Sequence, residues 1–404
     1  MIFFKAAWCR VFQASFRAAL PILPYREPEI VPTCAELDRV FLKENVEKVL
    51  IVADKGVRNA GILDPIEAVL AKCGVGSVVY DETRPNPTVE NVEEALSLYL
   101  KNGCNALMAV GGGSPIDCAK AVGARVVYPK KSVGKIKGLL RVWRRLPPLI
   151  AVPTTAGTGS ETTVAAVIVD AEKRHKYTIL SFPLIPTYAV LDPELTFSLP
   201  PSLTATTGID ALVHAVEAYI GRSTTKETRR LALEATKLIF ENLETAFNDG
   251  KNRDAREKML RAAHMAGLAF SKSYVGYVHA VAHTLGGYYG TPHGLANAVI
   301  TPYVLDAYGA GVYRKLRSLA LAAGVASLQD DAKDAAEKFV AAIRNLNAKL
   351  GIPEKLAGIK KEDVPAMARL ASKEANPLYP VPKLFDAKEL ERFYYCVADW
   401  CDER

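Results

Sequence analysis

The stretch LDPELTFSLPPS at 191–202 separates two parts of the chain that follow different periodicities. Before it, short β-rich runs alternate with helical stretches. KVLIVAD (48–54), GSVVYDE (76–82), ALMAV (106–110), PLIAV (148–152), TTVAAVIVD (162–170) and TYAVLD (187–192) read as strands. Helical segments, including DPIEAVLAKCG and the run after GGGS, lie between them. Such alternation predicts a mostly parallel sheet with helices on both faces. Beyond the prolines at 193, 200 and 201 almost no strand-like run remains. ETRRLALEATKLIFENLETAF, AREKMLRAAHMAGLAF, YRKLRSLALAAG and AAEKFVAAIRNLNAKLG all keep a helical repeat. A chain of 404 residues exceeds one ordinary core. The expectation is a doubly wound α/β domain over 1–199 and an all-α domain over 200–404.

Half the residues are hydrophobic and 24% charged, which fits a globular protein and excludes a disordered or fibrous one. The net charge of +7 is uneven, because no acidic residue falls between Asp117 and Glu161 while Arg125, Lys130, Lys131, Lys135, Lys137, Arg141, Arg144 and Arg145 crowd that interval. Without stacking aromatics or a nucleic-acid motif, a solvated loop and helix face is the reading, and no nucleic-acid partner is expected. Seven scattered cysteines with no CxxC pair argue for a reducing compartment and against a thiolate metal site. Cys396 and Cys401 are read as free thiols. Lys5, Arg10 and Arg17 interrupt the apolar N-terminus, so it reads as an amphipathic helix docked on the body rather than an export signal. No apolar run reaches the roughly eighteen residues of a membrane span. A cytoplasmic protein with no membrane association is expected.

ALMAVGGGSPIDCAK has the order strand, glycine turn, helix. Gly111, Gly112 and Gly113 let backbone approach a diphosphate, and the amides around Ser114 at the helix start supply donors and partial positive charge. Pro115 suits that start. Asp54 ends the first strand, where its carboxylate can accept from ribose hydroxyls and repel a 2′-phosphate; a turn or cap aspartate is the structural alternative. TTAGTGSET (154–162) adds Thr154, Thr155 and Thr158 as ribose or phosphate partners. The acid precedes the glycine turn here, the reverse of the usual dinucleotide fingerprint.

HAVAHTLGGYYGTPH (279–293) holds three of the six histidines. Upstream, GIDALVHAVEAYIG sets Asp210 and His214 on one helix face. One carboxylate and three imidazoles, Asp210, His214, His279 and His293, form a donor set for Fe²⁺ or Zn²⁺ with room for an exogenous oxygen. His283 follows His279 by one turn and reads as a fifth ligand, a proton carrier or a packing residue. His264 and His175 are assigned to no metal.

With both halves in view, the chain resembles the iron-containing (group III) alcohol dehydrogenases over about 45–310. The resemblance rests on PNPT (85–88), GGGSPIDCAK, PTTAGTGSE, LDPEL…LPPSLTATTGIDALVHAVEAY and GLAFSKSYVGYVHAVAHTLGGYYGTPHGLANAV. It implies that Asp210, His214, His279 and His293 are the metal ligands and that His283 lies near the nicotinamide as the catalytic histidine. It further implies that Gly112, Gly113 and Ser114 hold the pyrophosphate, that Thr154, Thr155 and Thr158 contact the nucleotide, and that Lys176 lies near the ribose. Asn86 and Asp117 are counted with the cofactor contacts, Asp54 favours NAD over NADP, and Phe270 and Ser372 fall at the substrate pocket. The implied fold is of the dehydroquinate synthase type and the implied assembly a homodimer or larger.

The expected activity is hydride transfer between a primary alcohol or small diol and NAD at a crevice between the halves. Fe²⁺ would act as Lewis acid, with His283 relaying the proton. Glycerol dehydrogenase-like and dehydroquinate synthase-like chemistry are the alternatives within the fold, and a non-catalytic assembly subunit is the alternative outside enzymology.

Overall fold

A computed structural model describes residues 3–170 and 175–400. The chain divides into two compact units, Pro24–Leu199 and a second made of Pro200–Arg404 with Met1–Leu23. This corrects the expected placement of the first residues. Helix α1 (Phe3–Ala19) buries Cys9 and sends side-chain donors to the backbone of residues 377–382, so it belongs with the helical unit.

Among its described residues the first unit carries nine strands: β1 (Glu29–Val31), β2 (Lys48–Val52), β3 (Gly76–Tyr80), β4 (Ala106–Gly111), β5 (Gly138–Leu139), β6 (Leu149–Pro153), β7 (Ala165–Asp170), β8 (His175–Leu180) and β9 (Tyr188–Val190). Six form one parallel sheet in the order β1-β9-β6-β4-β2-β3. The near-continuous apolar runs follow from burial on both faces. Leu50, Val52, Leu107, Ala109, Leu149 and Ala151 pack into one core with helices α2 (Val89–Lys101) and α3 (Gly113–Val127). Their alternating neighbours Val49, Ile51, Met108, Val110, Ile150 and Val152 pack into another with Phe41, Ile66 and Leu70. This period of two is what places helices on both sides.

The run TTVAAVIVD does not join that sheet. Its strand β7 pairs antiparallel with β8, and β8 pairs with β5, in a separate three-stranded sheet. A short apolar run cannot reveal which partner it takes. Within the basic stretch, Arg125 is buried, not solvated: its guanidinium pairs with Glu93 at 2.7 Å and donates to the carbonyl of Tyr128.

The second unit continues with α4 (Pro201–Ile220), α5 (Lys226–Asn248), α6 (Arg253–Ser273), α7 (Tyr277–Tyr289), α8 (His293–Tyr308), α9 (Tyr313–Ala322), α10 (Ala332–Lys349), α11 (Val364–Ala375) and α12 (Ala387–Val397). Every residue of α4 from Gly208 to Ile220 is buried, so this is the central helix. Pro302 inside α8 cannot donate to the carbonyl four residues back. Asn347 of α10 donates its Nδ2 to that Ala298 oxygen at 2.9 Å instead. The fold is thus a parallel α/β domain followed by a helical one. No helix among the described residues is long and apolar enough to cross a membrane. The described cysteines are free thiols, and Cys401 lies outside the described residues.

Candidate active site

Three polar side chains interrupt the buried run of α4: Asp210, His214 and Glu217. Spacings of four and three place them on one stripe, and buried polar groups require partners. Those partners come from α7 and α8. Gly276, just before α7, approaches so closely that a Cβ there would stand 2.6 Å from Glu217 Oε1. The Gly276 and Val278 amides donate to Glu217 at 2.8 and 2.9 Å, and His279 Nδ1–H donates to Glu217 Oε2 at 2.6 Å. Gly294, in the first turn of α8, likewise meets α4, where a Cβ would fall 2.3 Å from the Thr206 carbonyl oxygen. That approach brings His293 to Asp210.

Asp210, His214, His279 and His293 each offer a donor atom, all within 4.8 Å of one another, with the first three buried and His293 exposed. Asp210 Oδ1 is 3.5 Å from His293 Nε2 and 3.9 Å from His279 Nε2, and Oδ2 is 3.9 Å from His214 Nδ1. These gaps are too long for hydrogen bonds. Four ligands about 2.1 Å from a common centre stand roughly 3.4 Å apart, close to the separations found. His279 Nε2 is buried with no hydrogen-bond partner, an arrangement that is costly unless a ligand completes it. Burial, reinforced by His214, His293 and His283, holds the His279 pKa well below the usual imidazole value, so the ring is neutral and its lone pair free to coordinate. Burial pushes the Glu217 carboxyl up to about 7, against the hydrogen bonds it accepts from the α7 backbone. The donor set fits a divalent transition metal.

Around this cluster, Asn297 donates Nδ2 to Asp210 Oδ1 at 2.7 Å and stands 3.1 Å from His293 Nε2. Phe270 stacks on His214, with ring centres 4.1 Å apart. His283 stacks on His293 at 5.2 Å, and its Nδ1 lies 2.6 Å from Glu374 Oε1. Ser372 is buried, its hydroxyl 3.4 Å from the Asn376 amide that donates to it. Glu217, Asn297 and Glu374 escaped the sequence reading. Glu217 carried a signal, three residues after His214, but a helical glutamate is ordinarily solvated.

In the α/β unit, the turn after β4 runs straight into α3, with Gly112 in the N-cap position. A Cβ on Gly112 would lie 3.3 Å from Thr155 Oγ1, and one on Gly113 would lie 3.1 Å from Thr158 Cγ2. The two glycine positions and the threonines therefore form one cradle. Thr155 Oγ1 is buried with no hydrogen-bond partner, which again fits a ligand. Ser114 Oγ accepts from the Asn86 amide at 3.1 Å, drawing the PNPT turn to the same place. Thr154 is anchored through its amide to the Gly111 carbonyl at 3.0 Å.

Asp54 caps the helix Lys55–Asn59, its Oδ1 accepting from Val57 N at 2.9 Å, so the structural alternative holds for that oxygen. Asp117 has a protein donor on each oxygen, Ser160 Oγ at 2.7 Å and Val167 N at 2.9 Å. Beside it the fully buried Lys120, which the sequence reading passed over, shares its ammonium among Ser160, Thr163 and Ala165 oxygens at 2.6–3.2 Å. This pair fastens the end of the threonine-rich loop to α3. Lys176 is on β8, and its side chain lies outside the described residues.

Known proteins match along both units. The family model for iron-containing alcohol dehydrogenase covers residues 32–193, and that for the Fe-containing alcohol dehydrogenase family, C-terminal, covers 204–395. The chain is 40% identical over 334 residues to 1,3-propanediol dehydrogenase of Klebsiella pneumoniae, spanning 82% of this chain and 86% of that one. It superposes on a crystal structure of 1,3-propanediol oxidoreductase with a TM-score of 0.88 at 36% identity, over 92% of this chain and 98% of that one. Sulfoacetaldehyde reductase from Bifidobacterium kashiwanohense, solved in complex with NAD+, gives a TM-score of 0.82 at 28% identity, over 93% and 98%.

Proposed function

The chain belongs to the iron-containing alcohol dehydrogenase family, as an oxidoreductase of that family, and from this premise we propose its reaction. It interconverts a primary alcohol or small diol and the matching aldehyde, with NAD as hydride carrier and Fe²⁺ held by Asp210, His214, His279 and His293. The carrying observation is that donor set, within 4.8 Å and with His279 Nε2 left unsatisfied by protein. Zn²⁺ satisfies the same donors, so loading follows supply.

A divalent ion held there supplies Lewis acidity toward the alcohol or carbonyl oxygen, and NAD supplies the hydride acceptor. Glu217 keeps the His279 proton on Nδ1, which leaves Nε2 as the donor atom. Asn297 orients Asp210. Phe270 forms an apolar wall against His214. His283 holds its Nδ1 proton against Glu374, and its second nitrogen takes the proton the alcohol releases. Gly112, Gly113 and Ser114 receive the pyrophosphate at the start of α3, with Thr154, Thr155, Thr158 and Asn86 around it and Lys176 near the ribose. Asp54 disfavours a 2′-phosphate by like charge. We assign Asp117 to support of the loop instead of the nucleotide. Ser372 stays at the edge of this proposal as a pocket residue. Assembly into a dimer or larger oligomer in the cytoplasm belongs to the same reading, and light scattering tests the assembly.

The test is turnover of short alcohols, diols and aldehydes by metal-stripped and metal-restored enzyme, with NAD and NADP. Stripping should abolish turnover and leave NAD binding nearly intact, and Fe²⁺ should restore it. Full activity after chelation refutes the metal's part. Substrate consumption without net change in nicotinamide absorbance would point to a cyclase instead.

A further inference from the structure

The N-terminal helix meets the non-helical segment that follows α11, at residues 377–382. Gln13 of α1 is buried, and its Nε2 donates to the backbone oxygens of Tyr379 at 2.7 Å and Pro377 at 3.2 Å. Arg10 donates to the carbonyls of Val381 at 2.7 Å and Pro382 at 3.0 Å, and braces Gln13 Oε1 at 2.8 Å. Phe16 packs edge-on against Tyr274 at 5.0 Å. Four carbonyls of a non-helical segment thus find their donors on α1, which answers where that backbone's hydrogen bonds go.

Tyr379 turns this anchorage inward. Its backbone oxygen is held by α1, while its hydroxyl donates to Glu374 Oε1 at 2.7 Å, the same oxygen that receives His283 Nδ1 at 2.6 Å. Although burial raises the Glu374 carboxyl, His283 and the Tyr379 hydroxyl outweigh it and hold it below the ordinary carboxylate value, as an anionic acceptor requires. An acceptor on Nδ1 fixes the imidazole's tautomer and aim.

We propose that Glu374 is a positioning residue for His283, and that α1 sets it through Tyr379. The inference rests on the reading of His283 given above. Its test uses full-length enzyme in a double-mutant cycle: Arg10→Ala with Gln13→Ala as one change, Tyr379→Phe as the other, alongside Glu374→Gln and His283→Ala. Glu374→Gln should lower kcat about tenfold or more, short of the full loss expected for an acid–base group. KM for NAD and the metal content should stay within about twofold. The α1 and Tyr379 changes should each lower kcat, with their combination losing less than the product of the two, because both act on one link. In the metal-free protein, the ¹⁵N resonances of His283 should shift from the Nδ1-protonated pattern in Glu374→Gln.

Unchanged kcat in Glu374→Gln, or independent multiplicative losses in the cycle with unmoved His283 resonances, overturns the proposal. If His283→Ala keeps wild-type kcat, the reading of His283 itself fails, and the proposal with it. If His283→Ala is impaired while the others are not, only the proposal fails. Should the α1 variant not fold, Tyr379→Phe and Glu374→Gln decide by the same kcat and resonance criteria.

Discussion

Glu217→Gln isolates what one buried carboxylate does for its neighbour His279, a member of the candidate metal-ligand set. Oε2 accepts from both Gly276 N and His279 Nδ1, and Oε1 accepts from Val278 N. A glutamine has one acceptor oxygen, so its NH₂ must face one side of this arrangement. Turned toward His279, it donates to Nδ1 and forces the ring proton onto Nε2, the atom that faces Asp210 at 3.9 Å. Turned the other way, it opposes the Val278 amide and strains the start of α7. Losing the partner that orients a metal-bound histidine typically weakens metal affinity about 10- to 100-fold. That corresponds to about 1.4–2.8 kcal/mol. Leaving a buried amide donor unmatched costs a further ~1–3 kcal/mol of fold stability. The assay is Zn²⁺ titration of chelator-stripped protein against a chromophoric competitor, with circular dichroism to verify the fold. A folded Glu217→Gln protein that binds Zn²⁺ within about twofold of wild type refutes the orienting role.

Asp54→Gly should raise the NADP/NAD ratio of kcat/KM by about tenfold or more, because it removes a like charge worth ~1.4 kcal/mol; glycine still serves as an N-cap, so stability should barely change. An unmoved ratio removes Asp54 from cofactor choice. Burial lowers the Lys120 ammonium from 10.5 to about 8. Between those values the unfolded chain holds a proton the folded chain has released. Wild type should therefore gain stability over Lys120→Met as pH rises from about 8 to 10.5, by up to ~3 kcal/mol. Parallel urea midpoints across that window contradict it. Asn347→Leu strands the Ala298 carbonyl beside Pro302 but also removes Asn347 Oδ1, a buried oxygen with no hydrogen-bond partner. The net loss should fall near the low end of the ~1–3 kcal/mol range, read by urea denaturation.

Much of this was legible in the sequence wherever function coincides with local periodicity. Asp210 and His214 share a helix face by spacing alone, and the glycine turn sits between an apolar strand and a helix as its composition requires. The relations that escaped join residues far apart. Glu217 reaches His279 across 62 positions, and Glu374 reaches His283 across 91. Asp117 and Lys120 follow the glycine turn, but their protein partners Ser160, Thr163, Ala165 and Val167 lie far along the chain, where no local pattern marks them. The second sheet was invisible because an apolar run of six residues carries no mark of its neighbours.

The docking of α1 also orders events during synthesis. Gln13 precedes Tyr379 by 366 positions. At ~5–20 residues per second the ribosome delivers the receiving carbonyls roughly 20–70 s after the helix emerges. Through that interval Arg10 and Gln13 of the nascent chain lack their carbonyl acceptors, and the helical unit cannot be sealed until its last stretches leave the tunnel. Chaperone demand should therefore concentrate at the beginning of this polypeptide, and slowing elongation should lengthen the vulnerable period in proportion.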